Sequence, residues 1–227
     1  MSEWRTFRDR AALDEALAKH IAGQLQADIE RRGSASLAVS GGSTPMGMFQ
    51  ALSGAELDWS RVFITLVDER WVNRDSPDSN ERLVREHLLQ DAAANANFIS
   101  LKSPHDDAAH GLAAVSAGLA LVPRPFTAVV LGMGGDGHTA SWFPRATNLA
   151  VLLDPANPAT VAATDPVTAP HQRITLTLAA VLDSRELVIH ITGDDKKAVL
   201  ESAREQGYPV AALLAQQVTP ATTWWAP

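Results

Sequence analysis

The sequence contains no cysteine. Disulfide frameworks, zinc-thiolate centres and cysteine nucleophiles are therefore excluded, and a reducing compartment is permitted. Cations are in deficit: nineteen Lys and Arg stand against twenty-six Asp and Glu, a formal net charge of −7. A chain of that balance offers little attraction to nucleic acid or an anionic membrane, so neither is expected as a partner. A small anionic substrate stays compatible with it, provided a few cations converge locally. No run approaches the ~18 consecutive apolar residues of a membrane span, and the opening "MSEWRTFRDR" lacks an apolar signal core. A soluble cytoplasmic protein is the expectation. Two motifs are missing as well. There is no G-K-[ST] of a nucleotide triphosphate loop and no G-x-S-x-G of a serine hydrolase.

The rest is ordinary globular composition, 46% hydrophobic and 20% charged over 227 residues, long enough to bury a substantial core. Leu13, Leu17, Ile21, Leu25 and Ile29 recur at a helical interval, which predicts an amphipathic helix over 10–32, stopped by Gly33. Short β-rich runs follow at 36–40, 62–68, 126–132, 160–164, 173–178 and 186–192, with a further short strand at 98–100. Helical patterns occupy 45–53, 79–91, 106–121, 177–183 and 194–205. Near-continuous apolar strands alternating with helices predict an α/β fold with a mainly parallel sheet covered on both faces. No repeat or linker interrupts it, and the Pro-, Ala- and Thr-rich stretch 144–172 reads as an internal connection. The expectation is a single domain spanning 1–227.

In such sheets ligands collect at the carboxyl ends of the strands. Two loops stand out there. "SGGSTP" (Ser40 to Pro45) follows the strand "SLAV"; Gly41 and Gly42 permit close backbone approach, and Ser43 and Thr44 supply hydroxyls. Thr44 is expected to cap a helix whose first turn holds Pro45. Successive N–H groups at a helix start form an anion cradle, although the same residues also describe an ordinary strand-to-helix turn. The second loop, "LGMGGDGHTASWFP" (131–144), contains Gly132, Gly134 and Gly137 in the spacing G-x-G-x-x-G. A dinucleotide site would need a long helix after Gly137, but Pro144 stops the chain within two turns, and no βαβ unit links the loop to Asp154. The glycines are better explained as a bend that presents His138, two residues after Asp136. Imidazole, with a reference pKa of ~6.5, suits a general base, and a carboxylate can orient it. A metal is not expected: Asp136 and His138 lack a third ligand, and "HDDAAH" (105–110) reads as a loop entering a helix. His20, His87, His105, His110 and His190 are read as surface or core residues.

These blocks together resemble the 6-phosphogluconolactonases, lactone hydrolases of the oxidative pentose phosphate route. The resemblance rests on "SGGSTP" (40–45), "DERWV" (68–72), "DSN" (78–80), "LGMGGDGHTASWFP" (131–144), "RITLT" (173–177) and "ITGDDKKAVL" (191–200), in the family's order. It implies a Rossmann-like fold shared with glucosamine-6-phosphate deaminase, ribose-5-phosphate isomerase and CoA transferases. The deaminase is the competing reading. It continues the glycine–histidine motif with I-A-F-N-E-P, whereas this chain reads T-A-S-W-F-P without that glutamate. A third reading is a sugar-phosphate-binding module without catalysis. The chain departs from the family pattern at Trp142, at Glu81 and Arg82 after Asn80, and in the ending "TTWWAP", which puts the C-terminal strand in doubt.

The resemblance assigns His138 as the base that activates water against the lactone carbonyl, with Asp136 beside it and Arg70 helping to stabilise the oxyanion. It places the phosphate on Gly41, Gly42, Ser43 and Thr44, clamped by Arg173 and Lys196. Asp68, Asn80 and Gly134 complete the expected substrate contacts. Asp68 and Glu69 also read as an isomerase's acid–base pair, or as partners that fix Arg70. No cofactor is implied; the partner is a sugar-phosphate lactone, and the expected state is a monomer or weak homodimer.

Overall fold

The computed structural model describes residues 3–227. In chain order the elements are β1 (Glu3–Thr6), α1 (Arg10–Arg32), β2 (Ala35–Val39), α2 (Met46–Ser53), β3 (Val62–Leu66), β4 (Asp68–Arg70), α3 (Asn80–His87), β5 (Asn97–Ile99), α4 (Ala108–Leu119), β6 (Phe126–Leu131), α5 (Leu149–Leu152), β7 (Val161–Thr164), β8 (Arg173–Leu176), α6 (Leu178–Leu182), β9 (Ser184–Thr192), α7 (Asp194–Gln206), α8 (Ala211–Ala215) and β10 (Ala221–Ala226). Seven strands form a wholly parallel sheet in the order β1-β10-β9-β6-β2-β3-β5. β2 and β6 are buried at every position, as strands covered on both faces must be. The fold is the α/β, Rossmann-like arrangement that the apolar runs and intervening helices predict.

Local chemistry sets the helix starts. Asp9 accepts from the N–H of Ala12 at 2.8 Å to open α1, and Asp107 accepts from His110 N at 2.9 Å to open α4. The four-residue spacing of Leu13, Leu17, Ile21 and Leu25 puts all four on the buried face of α1. No helix among the described residues is long and apolar enough to cross a membrane.

The structure differs from the expected elements in several places. The run predicted as one strand over 62–68 is two. Val67 donates its N–H to Val39 O of the parallel sheet and accepts at its carbonyl from Leu176 N, so the chain changes sheets there. The predicted strands at 160–164 and 173–178 pair with β4, not with the large sheet, in a small antiparallel sheet ordered β4-β8-β7. The helix expected over 79–91 ends at His87, where Leu89 N–H reaches back to Val84 O and closes the last turn. Finally, "TTWWAP" does form a strand: β10 pairs along its length with β9 and carries β1 on its other edge.

Leu37 lies fully buried in the central strand β2. Its replacement by Ala is expected to lower unfolding stability by about 2–5 kcal/mol, read from denaturant midpoints at unchanged slope.

Candidate active site

The chain leaves β2 through α2 toward β3 on one side of the sheet, and leaves β6 toward β9 on the other. That reversal opens a crevice at the carboxyl ends of β2 and β6. The loops that follow them are tied to each other where Gly132 N donates to Ser40 Oγ at 2.9 Å, and the second loop is closed on itself where Thr139 Oγ1 donates to Gly132 O at 2.7 Å. Between the loops lies a cavity of about 470 Å³. No helix opens directly after Gly137, so the G-x-G-x-x-G spacing does not build a dinucleotide turn.

Gly41, Gly42, Ser43 and Thr44 form one wall. Gly42 takes φ 87°, and a Cβ on Gly41 would fall 1.9 Å from Asn80 Oδ1. Thr44 does not cap α2. Pro45 occupies the cap position and no side chain bonds there, which leaves the Thr44 hydroxyl beside the cavity. Asn80, in the first turn of α3, donates Nδ2–H to Asp68 O at 2.9 Å and lies against the loop.

His138 lines the cavity from the second loop. Its Nδ1 lies 2.5 Å from Asp136 Oδ1, and its ring stacks on Phe143 with centroids 4.3 Å apart. Gly134 lies under this pair: a Cβ there would sit 2.2 Å from Nδ1 and Cε1 of the imidazole. Partial burial pushes the Asp136 carboxyl up, but the hydrogen bond and charge of His138 outweigh it and hold the group below the usual carboxylate range. An ionised carboxylate only accepts, so Nδ1 carries the ring proton and Nε2 is left as the basic atom. Asp136 itself does not line the cavity; it stands behind the imidazole.

The small sheet supplies the opposite wall. Asp68, Arg70 and Arg173 all face the cavity, Arg70 and Arg173 paired across β4 and β8. Arg70 Nη1 donates to Asp78 O at 2.6 Å, and Arg173 Nη2 donates to Pro170 O at 3.0 Å. The Nε of each is buried with no hydrogen-bond partner among the described residues. Burial pulls the Arg173 guanidinium down, with Asp68 opposing. Lys196, in the first turn of α7, completes the cationic lining; burial lowers its ammonium and the Asp136 charge counters that. Three cationic side chains thus converge on one cavity, a lining complementary in charge to an anion.

Asp68 and Glu69 are not an acid–base pair facing one substrate. Glu69 is buried and accepts from Arg70 N, Asn80 N, Glu81 N and Ser79 Oγ at 2.7 to 3.0 Å, fastening the start of α3 to β4. Asp68 does line the cavity, its Oδ2 accepting from Ser141 Oγ at 2.6 Å. Two departures from the family pattern have packing roles. Trp142 is fully buried and donates Nε1–H to Leu176 O, and Glu81 binds Ser100 and Arg85.

His171, which carried no signal in the sequence, lines the cavity with φ 69° and its Nε2 3.2 Å from Asp78 Oδ2. Its neighbours in sequence announce a strand, and only the tertiary pairing of Gln172 and Arg173 with Trp71 and Arg70 brings it to the cavity. His190 is a core residue, its imidazole pushed down to about 3 by burial and by Arg10.

The family model described as glucosamine-6-phosphate isomerases/6-phosphogluconolactonase matches residues 8–225. The chain belongs to this family. It is 45% identical over 225 residues to a 6-phosphogluconolactonase of Rhizobium meliloti, covering 97% of each chain. A 6-phosphogluconolactonase of Mesorhizobium japonicum is 43% identical over 226 residues, covering 99% of this chain and 95% of that one. The crystal structure of a 6-phosphogluconolactonase from Shewanella baltica superposes with a TM-score of 0.97 at 47% identity, covering 100% and 98%. Those relatives place the chain beside the lactone hydrolases of the family.

The Asp136–His138 pair makes a prediction. Asp136 is ionised at neutral pH and fixes the imidazole through Nδ1. Asp136→Asn is therefore expected to lower kcat by roughly ten-fold or more with a smaller change in KM. A wild-type kcat in that variant would show that the carboxylate does not act through His138.

Proposed function

We propose that this cavity hydrolyses 6-phospho-D-glucono-1,5-lactone to 6-phospho-D-gluconate, with His138 as general base. The observation that carries the reading is an imidazole held by an ionised carboxylate, its Nε2 free as a base, in a cavity also lined by Arg70, Arg173 and Lys196. The named relatives are lactonases at 43–47% identity, which supports the same substrate.

The chemistry follows from placement. Water attacks the lactone C1 as Nε2 of His138 takes its proton. Negative charge passes to the carbonyl oxygen, where Arg70 and the loop N–H groups stabilise it. As the intermediate collapses, the C1–ring oxygen bond breaks and the imidazolium returns the proton to that oxygen. The phosphate occupies Gly41 to Thr44, with Arg173 and Lys196 as its clamps. Asp68, Asn80 and Gly134 shape the sugar site between the two ends. No cofactor enters the reaction. The reading takes the whole chain as one cytoplasmic domain, working as a monomer or weak homodimer.

An amino-sugar phosphate deaminase is disfavoured by the same cavity. Its acids among the described residues are Asp68 and Asp78, with no glutamate beside His138. Ammonia release from glucosamine 6-phosphate, measured against acid release from the lactone, separates the two activities.

Replacement of His138 by Ala is expected to lower kcat by about 10²–10⁴-fold in a folded protein, measured above the spontaneous rate. Arg173→Ala and Lys196→Ala are expected to raise KM by roughly ten-fold or more with a smaller change in kcat, and KM should rise with ionic strength. Full activity in His138→Ala would remove the base assignment. Wild-type KM in both cation variants would move the phosphate elsewhere.

A further inference from the structure

Arg10 lies on the first turn of α1, outside the cavity lining, and still contacts its wall. Its Nη2 donates to the carbonyls of both Ser43 and Thr44, the latter at 3.0 Å. Asp14, one turn further along α1 and buried, holds the guanidinium from behind, with Oδ2 3.7 Å from Arg10 Nε. That carboxylate also presses against the first turn of α2, where a Cβ on Gly47 would sit 2.1 Å from Oδ2. The start of α1 is itself fixed by the Asp9 cap.

The consequence is stereochemical. In a trans peptide the carbonyl and the following N–H point in opposite directions. Holding Ser43 O toward Arg10 therefore turns the N–H of Thr44 away from α1. Ser43 and Thr44 line the cavity whereas Arg10 does not, so the N–H is turned toward the cavity side. No protein acceptor among the described residues takes the N–H of Gly41, Gly42, Ser43 or Thr44. A glycine-rich loop with free donors has many alternative peptide orientations, and a grip on two consecutive carbonyls removes most of them.

We infer that Arg10, held by Asp14, is a positioning residue that pre-orients the Ser43–Thr44 peptide so that the loop presents the Thr44 N–H to the substrate's phosphate. This rests on the phosphate placement proposed above. Arg10 touches no substrate atom. It acts from behind the loop, and its loss costs anion affinity and leaves the general base intact.

The test uses ¹⁵N-labelled full-length protein titrated with inorganic phosphate, beside kinetics on the phosphorylated lactone and on unphosphorylated glucono-1,5-lactone. In the wild type the Thr44 amide resonance shifts on phosphate addition. In Arg10→Ala that shift is lost or displaced, and the phosphate Kd and the KM for the phosphorylated lactone rise roughly ten-fold. The kcat stays within about two-fold, and kcat/KM on the unphosphorylated lactone is unchanged. Arg10→Lys, which restores one donor but not the planar fork, recovers part of the affinity. A wild-type Kd and Thr44 response in Arg10→Ala would overturn the inference, as would an equal loss on both lactones. A wild-type protein that binds phosphate without moving Thr44 would instead remove the phosphate placement, and this inference with it.

Discussion

The bond from Gly132 N to Ser40 Oγ, at 2.9 Å, spans the point where the sheet reverses direction. β2 and β6 are neighbours, but their chains leave in opposite directions, so their following loops would otherwise diverge from a shared edge. Ser40 also donates its N–H to Val130 O, extending the parallel ladder one residue beyond β2. One serine thus sets the spacing between the Gly41–Thr44 loop and the loop that carries His138. Thr139 holds the other side of Gly132, so the second loop is fixed at both of that residue's backbone groups. The cavity depends on this register.

The second constraint is electrostatic. A chain of net charge −7 gathers Arg70, Arg173 and Lys196 around one cavity. Their mutual repulsion is offset by nearby acids: Asp68, then Glu69 and Asp78, beside Arg173, and Asp136 beside Lys196. Glu69 spends its carboxylate on three backbone N–H groups and one hydroxyl, while burial pushes its pKa above the ordinary value. Asp68 is engaged by Ser141 and Asn80. Arg173 additionally lies over the Phe143 ring that supports His138. The proposed phosphate clamp Arg173 and the imidazole of His138 therefore share an aromatic neighbour.

Much of this was legible because it is local. The helical interval from Leu13 to Ile29 and the apolar runs that became β2, β6 and β9 carry their structure in their own periodicity. The two glycine loops were legible for a different reason, since glycine clusters beside hydroxyls and an imidazole are expensive unless the backbone or a ligand needs them. The break in "VFITLVD" was not legible. Nothing in that run interrupts a strand, and Val67 changes sheets only because Leu176, more than a hundred residues later, takes its carbonyl. The same holds for His171 and for the role of Glu69, which are set by pairings between distant segments. Thr44 illustrates a local rule overruled. Its hydroxyl suited a cap, but Pro45 already lacks the N–H and fixes φ, so the helix starts without it.

The proposed orientation puts phosphate at the β2 loop and the reacting carbon at His138. A crystal structure with 6-phospho-D-gluconate bound tests that orientation. Phosphate oxygens are expected within hydrogen-bond distance of the Thr44 N–H, Arg173 and Lys196, with the C1 carboxylate between His138 Nε2 and Arg70. A sugar acid bound the other way round, with its carboxylate in the glycine loop and its phosphate beside His138, would contradict it.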